Sequence, residues 1–190
     1  MELNTIFFIG PQGSGKGTQA ALLAQKLNFF HWDMGKICRE TAGQDTDFGR
    51  EVKNIIDKGV YLSDEMLIKV AENRLKTLPA NQGVIFDGIP RRLGQAQFLM
   101  DFLKKQGRKN FITIYLSLPK NETFKRLKLR AEKEGRADDT EEAIELRLKQ
   151  YIEVTLPVLD YLNGETTFFE VDGTPAVEVV SQKINQVLGI

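Results

Sequence analysis

Short apolar runs alternate along the chain with longer segments in which apolar residues recur every three or four positions. The short runs are typical of buried strands, and the longer periodic segments are typical of amphipathic helices. Their alternation predicts a three-layer α/β fold, in which a parallel β-sheet is flanked by helices on both faces. The strands are predicted at residues 5–9, 29–30, 83–86, 111–118 and 167–171. The helices are predicted at residues 18–27, 48–57, 64–77, 93–106, 121–134, 141–162 and 176–188.

Two stretches fit this alternation poorly. Residues 33–62 show helical character without a strand of their own, and residues 131–139 are strongly charged. Each could be an excursion from the sheet that covers a ligand, or an ordinary surface insertion. Two prolines mark helix boundaries. Pro157 is expected to kink or divide the long helix, and Thr174-Pro175 is expected to cap and begin the last one.

A glycine-rich loop follows the first predicted strand and leads into the first predicted helix. Glycines let the backbone bend so that its N–H groups approach phosphate oxygens, and the free amides at a helix start attract the same anion. Lys16 adds a mobile positive charge for the β- and γ-phosphates. Gly17 stands where a Ser or Thr usually follows the lysine, so the loop is a variant of the P-loop pattern. Four glycines and a lysine in register argue against an accidental turn; the loop is Gly10-Pro11-Gln12-Gly13-Ser14-Gly15-Lys16-Gly17-Thr18.

One acid and several arginines could complete a phosphate site. Residues 84–86 form a buried-strand pattern that ends in Asp87, and in P-loop proteins such an acid holds Mg²⁺ directly or through water. Taken alone, an aspartate after a strand is more often a cap. Phosphoryl transfer also needs several fixed cations, and arginine binds phosphate oxygens in pairs. Any one arginine is more often surface charge; the candidates are Arg39, Arg91, Arg126, Arg130, Arg136 and Arg147.

The charge balance and the counts of cysteine and histidine argue against several classes of function. The 190 residues include 26 basic and 26 acidic side chains, so no net field favours nucleic acid or an anionic membrane. Cys38 is the single cysteine and His31 the single histidine. This excludes an intrachain disulfide and a cysteine-rich zinc site, and it argues against a serine, cysteine or histidine nucleophile. Neither a signal peptide nor a membrane-spanning apolar run is visible, so a cytoplasmic protein is expected.

Taken together, the motifs resemble those of the adenylate kinases, within the nucleoside monophosphate kinase family. Residues 13–19 are the family's GSGKGTQ, and residues 86–91 match its DG[YF]PR run, with Gln95 at the position of the family's glutamine. Lys58-Gly59 begins a match to its KG-x-L-V stretch. The other matches are Arg126 and Arg130 before the lid, the GR-x-DD lid at residues 135–139, and Arg147 on the next helix. The similarity runs over nearly the whole chain.

The resemblance implies a P-loop NTPase-like fold and a single domain over residues 1–190. The core would comprise residues 1–32, 63–126 and 140–190, with a monophosphate-binding segment at 33–62 and a short lid at 127–139. The implied reaction is reversible, Mg²⁺-dependent transfer of the terminal phosphoryl group from ATP to AMP, giving two ADP, in line and without a covalent enzyme intermediate. The implied partners are small nucleotides, with no nucleic acid and no membrane. A monomer is expected, and the short lid implies no structural zinc.

The resemblance also implies a role for each matching residue. The residues that would bind ATP are Gly13, Ser14, Gly15, Lys16, Gly17, Thr18, Arg126, Arg130 and Gly173. The residues that would bind AMP are Met34, Arg39, Val60, Tyr61, Leu62, Gly88, Ile89, Pro90, Arg91, Gln95, Arg136 and Arg147. The catalytic residues would be Lys16, Arg91, Arg130, Arg136 and Arg147. Asp87 would orient Mg²⁺ through water.

Several positions near the acceptor depart from the family pattern. Asp33-Met34-Gly35-Lys36 stands where the family has S-T-G-D, so a hydroxyl near the base is lost at Met34 and a charge is reversed at Lys36. Gln95 favours AMP, because an amide offers a donor and an acceptor side by side, as adenine does at N6 and N7. Two alternatives remain: UMP or CMP as the acceptor, and a nucleotide-binding module without turnover. A GTPase would need a hydroxyl in place of Gly17 and an N-K-x-D motif, and the sequence has neither.

Overall fold

The computed structural model describes residues 4–76, 78, 81–134 and 140–190. Within these residues, five parallel strands form one sheet, which confirms the α/β class. The strands are β1 (Asn4–Ile9), β2 (Phe30–Asp33), β3 (Val84–Asp87), β4 (Asn110–Ser117) and β5 (Thr167–Asp172).

Helices connect the strands and cover the sheet. The helices are α1 (Lys16–Leu27), α2 (Met34–Ala42), α3 (Asp47–Ile56), α4 (Asp64–Leu75), α5 (Leu93–Lys105), α6 (Lys120–Glu134), α7 (Glu141–Gln150), α8 (Leu156–Glu165) and α9 (Val177–Leu188). A π-helical segment, Tyr151–Thr155, joins α7 to α8. Among the described residues, no helix combines the length and the apolar character needed to cross a membrane.

β1 lies in the middle of the sheet, whose strand order is β2-β3-β1-β4-β5. From β1 the chain crosses to the outer strand β2, returns to β3 beside β1, and then passes to β4 on the other side. The loop after β1 therefore emerges at the carboxyl edge of the sheet where the strand order reverses, the place where open α/β sheets bind ligands. The ladders bring acidic strand ends to this edge, since Asp87 pairs with both Phe8 and Asp33.

The sheet separates two hydrophobic cores, because successive residues of a strand point to opposite faces. On one face, the ring centroid of Phe86 lies 5.4 Å from that of Phe7 and 5.6 Å from that of Trp32. On the other face, Ile6 and Phe8 pack with buried residues of α1 and α9. The central strands are buried on both faces, which explains why their sequences are continuous apolar runs rather than alternating ones.

Two predicted boundaries are wrong. β2 continues beyond residue 30 to Asp33, because His31 and Trp32 also pair with β3. The last helix begins at Val177, with Ala176 as its N-cap, and not at Pro175. Thr174 instead donates from its N–H and its hydroxyl to Asp172 Oδ1, at 2.8 and 2.6 Å, and so forms a turn after β5.

Two other expectations about the helices are confirmed. The long helix is divided close to Pro157, which lies in the first turn of α8 directly after the π-helical segment. Residues 33–62 contain no strand beyond the end of β2, and α2 and α3 occupy most of them. Asp33 caps α2, because its Oδ1 accepts a hydrogen bond of 2.8 Å from the backbone N–H of Lys36.

We expect Phe86→Ala to lower the free energy of unfolding by about 3–5 kcal/mol, because it removes a fully buried ring between Phe7 and Trp32 and leaves a cavity. Urea denaturation of both proteins measures the difference. Phe30→Ala is the matched control, since Phe30 lies on the same sheet but is 38% exposed. Its cost should stay near 1 kcal/mol or below. Equal losses in the two variants would contradict this description of the core.

Candidate active site

A cavity of about 440 Å³ lies at the carboxyl ends of β1, β2 and β3. It brings together residues that are far apart in the chain. Of the residues singled out from the sequence, those that line it are Gly13, Gly15, Lys16, Gly17, Thr18, Met34, Arg39, Val60, Tyr61, Leu62, Asp87, Gly88, Arg91, Gln95, Arg126, Arg130 and Arg147.

A few predicted site residues do not line this cavity. Ser14 is buried within the glycine loop, and its Oγ lacks a hydrogen-bond partner among the described residues. Ile89 and Pro90 lie just behind the cavity wall, in the loop between Gly88 and Arg91. Gly173 also stands outside the lining, but its carbonyl holds a lining side chain, as described below. Arg136 lies outside the described residues.

The glycine loop opens α1 toward the cavity. Gly13 and Gly15 adopt φ values of 80° and 91°, a left-handed conformation that favours glycine. Gly15 is the N-cap of α1, and the first intrahelical bond runs from Gln19 N to Gly15 O at 2.9 Å. The preceding amides of the first turn have no partner within the helix. They and the helix dipole therefore make this end of α1 a site for anions.

Lys16 carries its charge at the same end of α1. Its Nζ donates to the carbonyl of Pro11 at 2.7 Å. The pKa of Lys16 is lowered from 10.5 to about 8, mainly by burial; the Asp87 carboxylate opposes the shift, and the nearby Arg91 and Arg130 add to it. The ammonium thus lies in a place where it lacks an anionic partner strong enough to offset its lost hydration. A bound phosphate would supply that partner.

Asp87 lies directly beside Gly17. A Cβ added to Gly17 would lie 3.2 Å from Asp87 Oδ2, so a larger residue there would require the carboxylate to shift by a few tenths of an ångström. The carboxylate comes from the end of β3 and is only 9% exposed. Burial raises the pKa of Asp87, the Lys16 ammonium opposes this, and the Asp33 carboxylate adds to it. An oxygen ligand from the strand therefore lies directly beside the glycine loop.

The oxygen donors at this edge suit Mg²⁺ better than zinc. In the described parts of the chain, no group of three or more His, Cys, Asp and Glu side chains could enclose a metal ion. Mg²⁺ does not need such a cage, because it is usually held by one or two carboxylates, by substrate phosphates and by water. Asp87 and Asp33 both line the cavity and meet this requirement.

Four contacts hold Arg91, two through its side chain and two through its backbone. Its Nε donates to the carbonyl of Gly88 at 2.9 Å, and its guanidinium lies 4.7 Å from the centroid of the Tyr61 ring. Its backbone N–H donates to Gln95 Oε1 at 2.9 Å, and its carbonyl accepts from the hydroxyl of Thr155 at 3.1 Å. Arg91 lines the cavity, and its backbone is fixed on both sides by these two bonds.

Gln95 is 1% exposed and presents a defined amide edge. The bond from the backbone N–H of Arg91 fixes the orientation of the amide, because an N–H group can only donate and must meet the oxygen. Gln95 Nε2 is buried and has no hydrogen-bond partner among the described residues. The amide therefore offers a free donor, together with the second lone pair of Oε1, to a ligand in the cavity.

Arg126 is held in plane by oxygen acceptors. Its Nε donates to Glu122 at 2.9 Å, and its two terminal nitrogens donate to the carbonyls of Gly173 and Thr174 at 2.9 and 2.7 Å. These bonds use the edge of the guanidinium and leave its planar face for stacking. A Cβ on Gly173 would lie 2.9 Å from the carbonyl oxygen of Ser14, so this close approach requires glycine.

Sequence reasoning missed several residues of the site. Glu122 holds Arg126, and its i,i+4 spacing could have indicated the pair. Gln12 donates to the hydroxyl of Tyr61 at 3.0 Å, and no local pattern indicates a contact between positions so far apart. Cys38 lines the cavity, with its pKa raised by burial. Lys36, in contrast, is exposed and does not line the cavity, so its reversed charge stays outside it.

Comparisons with known proteins agree with this geometry. The sequence model of the adenylate kinase family matches residues 8–167. The chain belongs to the adenylate kinase family. It is 36% identical over 185 residues to an adenylate kinase from Thermus thermophilus, an alignment that covers 97% of each chain. It is 35% identical over 179 residues to an adenylate kinase from Stenotrophomonas maltophilia, covering 94% of this chain and 96% of the relative.

A third relative, an adenylate kinase from Caulobacter vibrioides, is 35% identical over 186 residues and covers 98% of this chain and 97% of its own. Such full-length similarity to proteins of one name supports an adenylate kinase enzyme, and neither alternative activity is favoured. The five-stranded sheet in the described part of the chain is consistent with the P-loop NTPase fold of the family. Adenylate kinases in general use Mg²⁺ with ATP.

The lowered pKa of Lys16 predicts how stability changes with pH. Between about pH 8 and 10.5 the unfolded chain binds more protons at this residue than the folded protein, so the free energy of unfolding should rise with pH. The charged lysine costs stability at pH 7, and that cost is lost progressively as the pH rises from about 8 to 10.5. Subtracting the free energy of unfolding of the Lys16→Met variant from that of the wild type isolates the effect of Lys16. This difference should rise by at most about 1.4 kcal/mol per pH unit. Urea denaturation from pH 7 to 10 measures it, with Lys26→Met, an exposed lysine of α1, as the control. If the difference between wild type and Lys16→Met does not change with pH, the lowered pKa of Lys16 is wrong.

Proposed function

We propose that this adenylate kinase transfers the terminal phosphoryl group of ATP directly to AMP, in the one cavity described above, and that it also catalyses the reverse reaction. The observation that carries the proposal is the meeting of Lys16 and the glycine loop with Arg39, Arg91, Arg130 and Arg147 around that cavity. Two bound phosphates between these cations could react with one another, so no protein nucleophile is needed.

The glycine-loop side suits the donor. The amides at the start of α1, from Gly13 to Thr18, would bind the β- and γ-phosphates of ATP, and Lys16 would follow the γ-phosphate as it moves. Arg126, held edge-on by Glu122 and by the carbonyl groups of Gly173 and Thr174, would stack its face on the adenine base.

The opposite side suits the acceptor. Arg39 and Arg91 would hold the phosphate of AMP, and Gln95 would hydrogen-bond the edge of its base with the free donor at Nε2. Apolar side chains from α2 and from the segment before α4 would surround the nucleoside; these are Met34, Val60 and Leu62. Met34 offers no hydroxyl to the base, so Gln95 carries the polar selection.

The remaining arginines suit the transition state. Negative charge spreads over the equatorial oxygens of the moving phosphoryl group, and fixed cations stabilise it most when water is excluded. Arg147 is only 9% exposed, and it donates to the carbonyl of Ile56 at 3.5 Å, so it is fixed near the cavity. We assign it to this role together with Arg130 and Arg136. Closure of residues 33–62 and 131–139 over the nucleotides would exclude water; residues 135–139 of the second segment lie outside the described residues.

Asp87 would hold Mg²⁺ through water, next to the glycine loop. When bound, the ion neutralises charge on the transferring phosphates. The buried carboxylate beside Gly17 supports this role, because its raised pKa reflects burial that a cation would offset.

We expect Lys16→Met to reduce kcat by about 10³-fold, because it removes a preorganised charge at the transition state. Coupled-enzyme assays in the direction of ADP formation measure the change, and circular dichroism checks that the variant is folded. Lys26→Met should keep kcat within about twofold, since Lys26 lies outside the cavity on the same helix. Near-normal turnover in Lys16→Met would exclude the donor assignment.

A turnover panel tests the acceptor. With ATP and Mg²⁺ constant, kcat/KM should be highest for AMP among AMP, UMP, CMP, GMP and dTMP. Gln95→Leu should lower the value for AMP about tenfold more than that for UMP, because the bonds to the base serve adenine, whereas the lost bond to the Arg91 N–H affects both acceptors. If UMP or CMP outperforms AMP in the wild-type enzyme, Gln95 does not select the base.

A further inference from the structure

Tyr61 connects the two halves of the cavity. It lies between α3 and α4 and is 7% exposed. Its hydroxyl accepts a hydrogen bond of 3.0 Å from Gln12 Nε2 in the glycine loop. The face of its ring lies 4.7 Å from the guanidinium carbon of Arg91. A single side chain thus touches the loop that would bind the donor phosphates and the arginine that would bind the acceptor phosphate.

The Tyr61 ring restrains the Arg91 guanidinium in a direction that its hydrogen bond does not. The bond from Nε to the carbonyl of Gly88 fixes the guanidinium within its plane. The Tyr61 ring supports it perpendicular to that plane, through the attraction between a cation and an aromatic face. The ring itself is fixed, because the backbone N–H of Tyr61 donates to Gln150 Oε1 at 3.1 Å.

Burial of the Gln12 amide oxygen without a hydrogen-bond partner in the described part of the chain costs free energy, and the fold alone does not explain why a polar residue is present there. Its Oε1 is buried and lacks a hydrogen-bond partner among the described residues, while its Nε2 meets Tyr61. A buried acceptor without a partner is unfavourable, and an apolar side chain at this position would avoid it. The function of Gln12 is therefore its bond to Tyr61, which connects the glycine loop to the opposite wall of the cavity.

We propose that Tyr61 and Gln12 are positioning residues, which set the separation between the donor-phosphate loop and Arg91 and so align the acceptor phosphate for in-line transfer. This inference rests on the proposed role of Arg91. In-line transfer is sensitive to displacements of about 1 Å, and two binding sites on separate elements need a rigid link to hold that precision. The chain Gln12, Tyr61, Arg91 is such a link and touches neither reacting atom.

A double-mutant cycle tests the link. Tyr61→Phe keeps the ring and removes the hydroxyl, and Gln12→Leu keeps the size of the side chain and removes the donor. Each should lower kcat about three- to tenfold, with both KM values within about twofold, because each half still binds its own nucleotide. The double variant should be no slower than either single variant, since both remove the same bond. Additive losses, or an unchanged kcat in both single variants, would overturn the proposal.

Tyr61→Leu separates the ring from the hydroxyl. It removes the aromatic face as well, so KM for AMP should rise several-fold above the value for Tyr61→Phe while KM for ATP stays constant. Tyr115→Phe is the matched control, because it removes a hydroxyl that accepts a bond of 3.2 Å from Tyr151, and Tyr115 does not line the cavity. It should lower the melting temperature about as much as Tyr61→Phe and leave kcat unchanged. An equal fall in kcat would attribute the effect to general loss of stability and overturn the link.

Calorimetric titration of AMP into Arg91→Ala separates the proposed role of Arg91 from the positioning role of Tyr61 and Gln12. A loss of affinity of about tenfold or more supports the role of Arg91. If that loss occurs and the cycle shows no coupling, the positioning role alone is wrong. Unchanged AMP affinity in Arg91→Ala would overturn both the role of Arg91 and the inference that depends on it.

Discussion

The grouping of positive side chains around one cavity, where Lys16 is shielded from water, is the constraint on which this site depends. The pKa of Lys16 is lowered mainly by burial, and the nearby Arg91 and Arg130 add to the shift. Such a group of cations is unfavourable without an anion, and the fold has to hold it together. The carboxylate of Asp87 offsets part of this cost at the edge of the sheet.

Backbone carbonyl groups support two of these side chains. Lys16 donates to the carbonyl of Pro11 and Arg91 to that of Gly88. A carbonyl satisfies a donor without carrying a full negative charge, so each side chain is oriented while its net charge is kept for the ligand. Carboxylate partners at every position would have oriented the same side chains and weakened their attraction for phosphate. Arg126, in contrast, pairs with Glu122, and its proposed partner is a base rather than a phosphate.

Local pattern predicted the parts of the fold whose signal lies within a few residues. The apolar runs of β1, β3 and β4 identified the central strands, because burial on both faces removes polar residues from them. β2 was predicted too short, since an edge strand with the sequence Phe-His-Trp-Asp has no such run. The last helix began later than predicted because a side-chain turn at Asp172 competed with helix formation at Thr174. The contact between Gln12 and Tyr61 depends on packing of distant segments, which no local pattern encodes.

The closeness of Gly17 to Asp87 links two positions that lie far apart in the sequence. A Cβ at residue 17 would lie only 3.2 Å from the carboxylate oxygen, so any larger residue there would require the Asp87 side chain to shift by a few tenths of an ångström. The cost of a substitution at residue 17 therefore depends on the side chain at residue 87. Mutations at the two positions should show epistasis, with effects on stability that do not simply add.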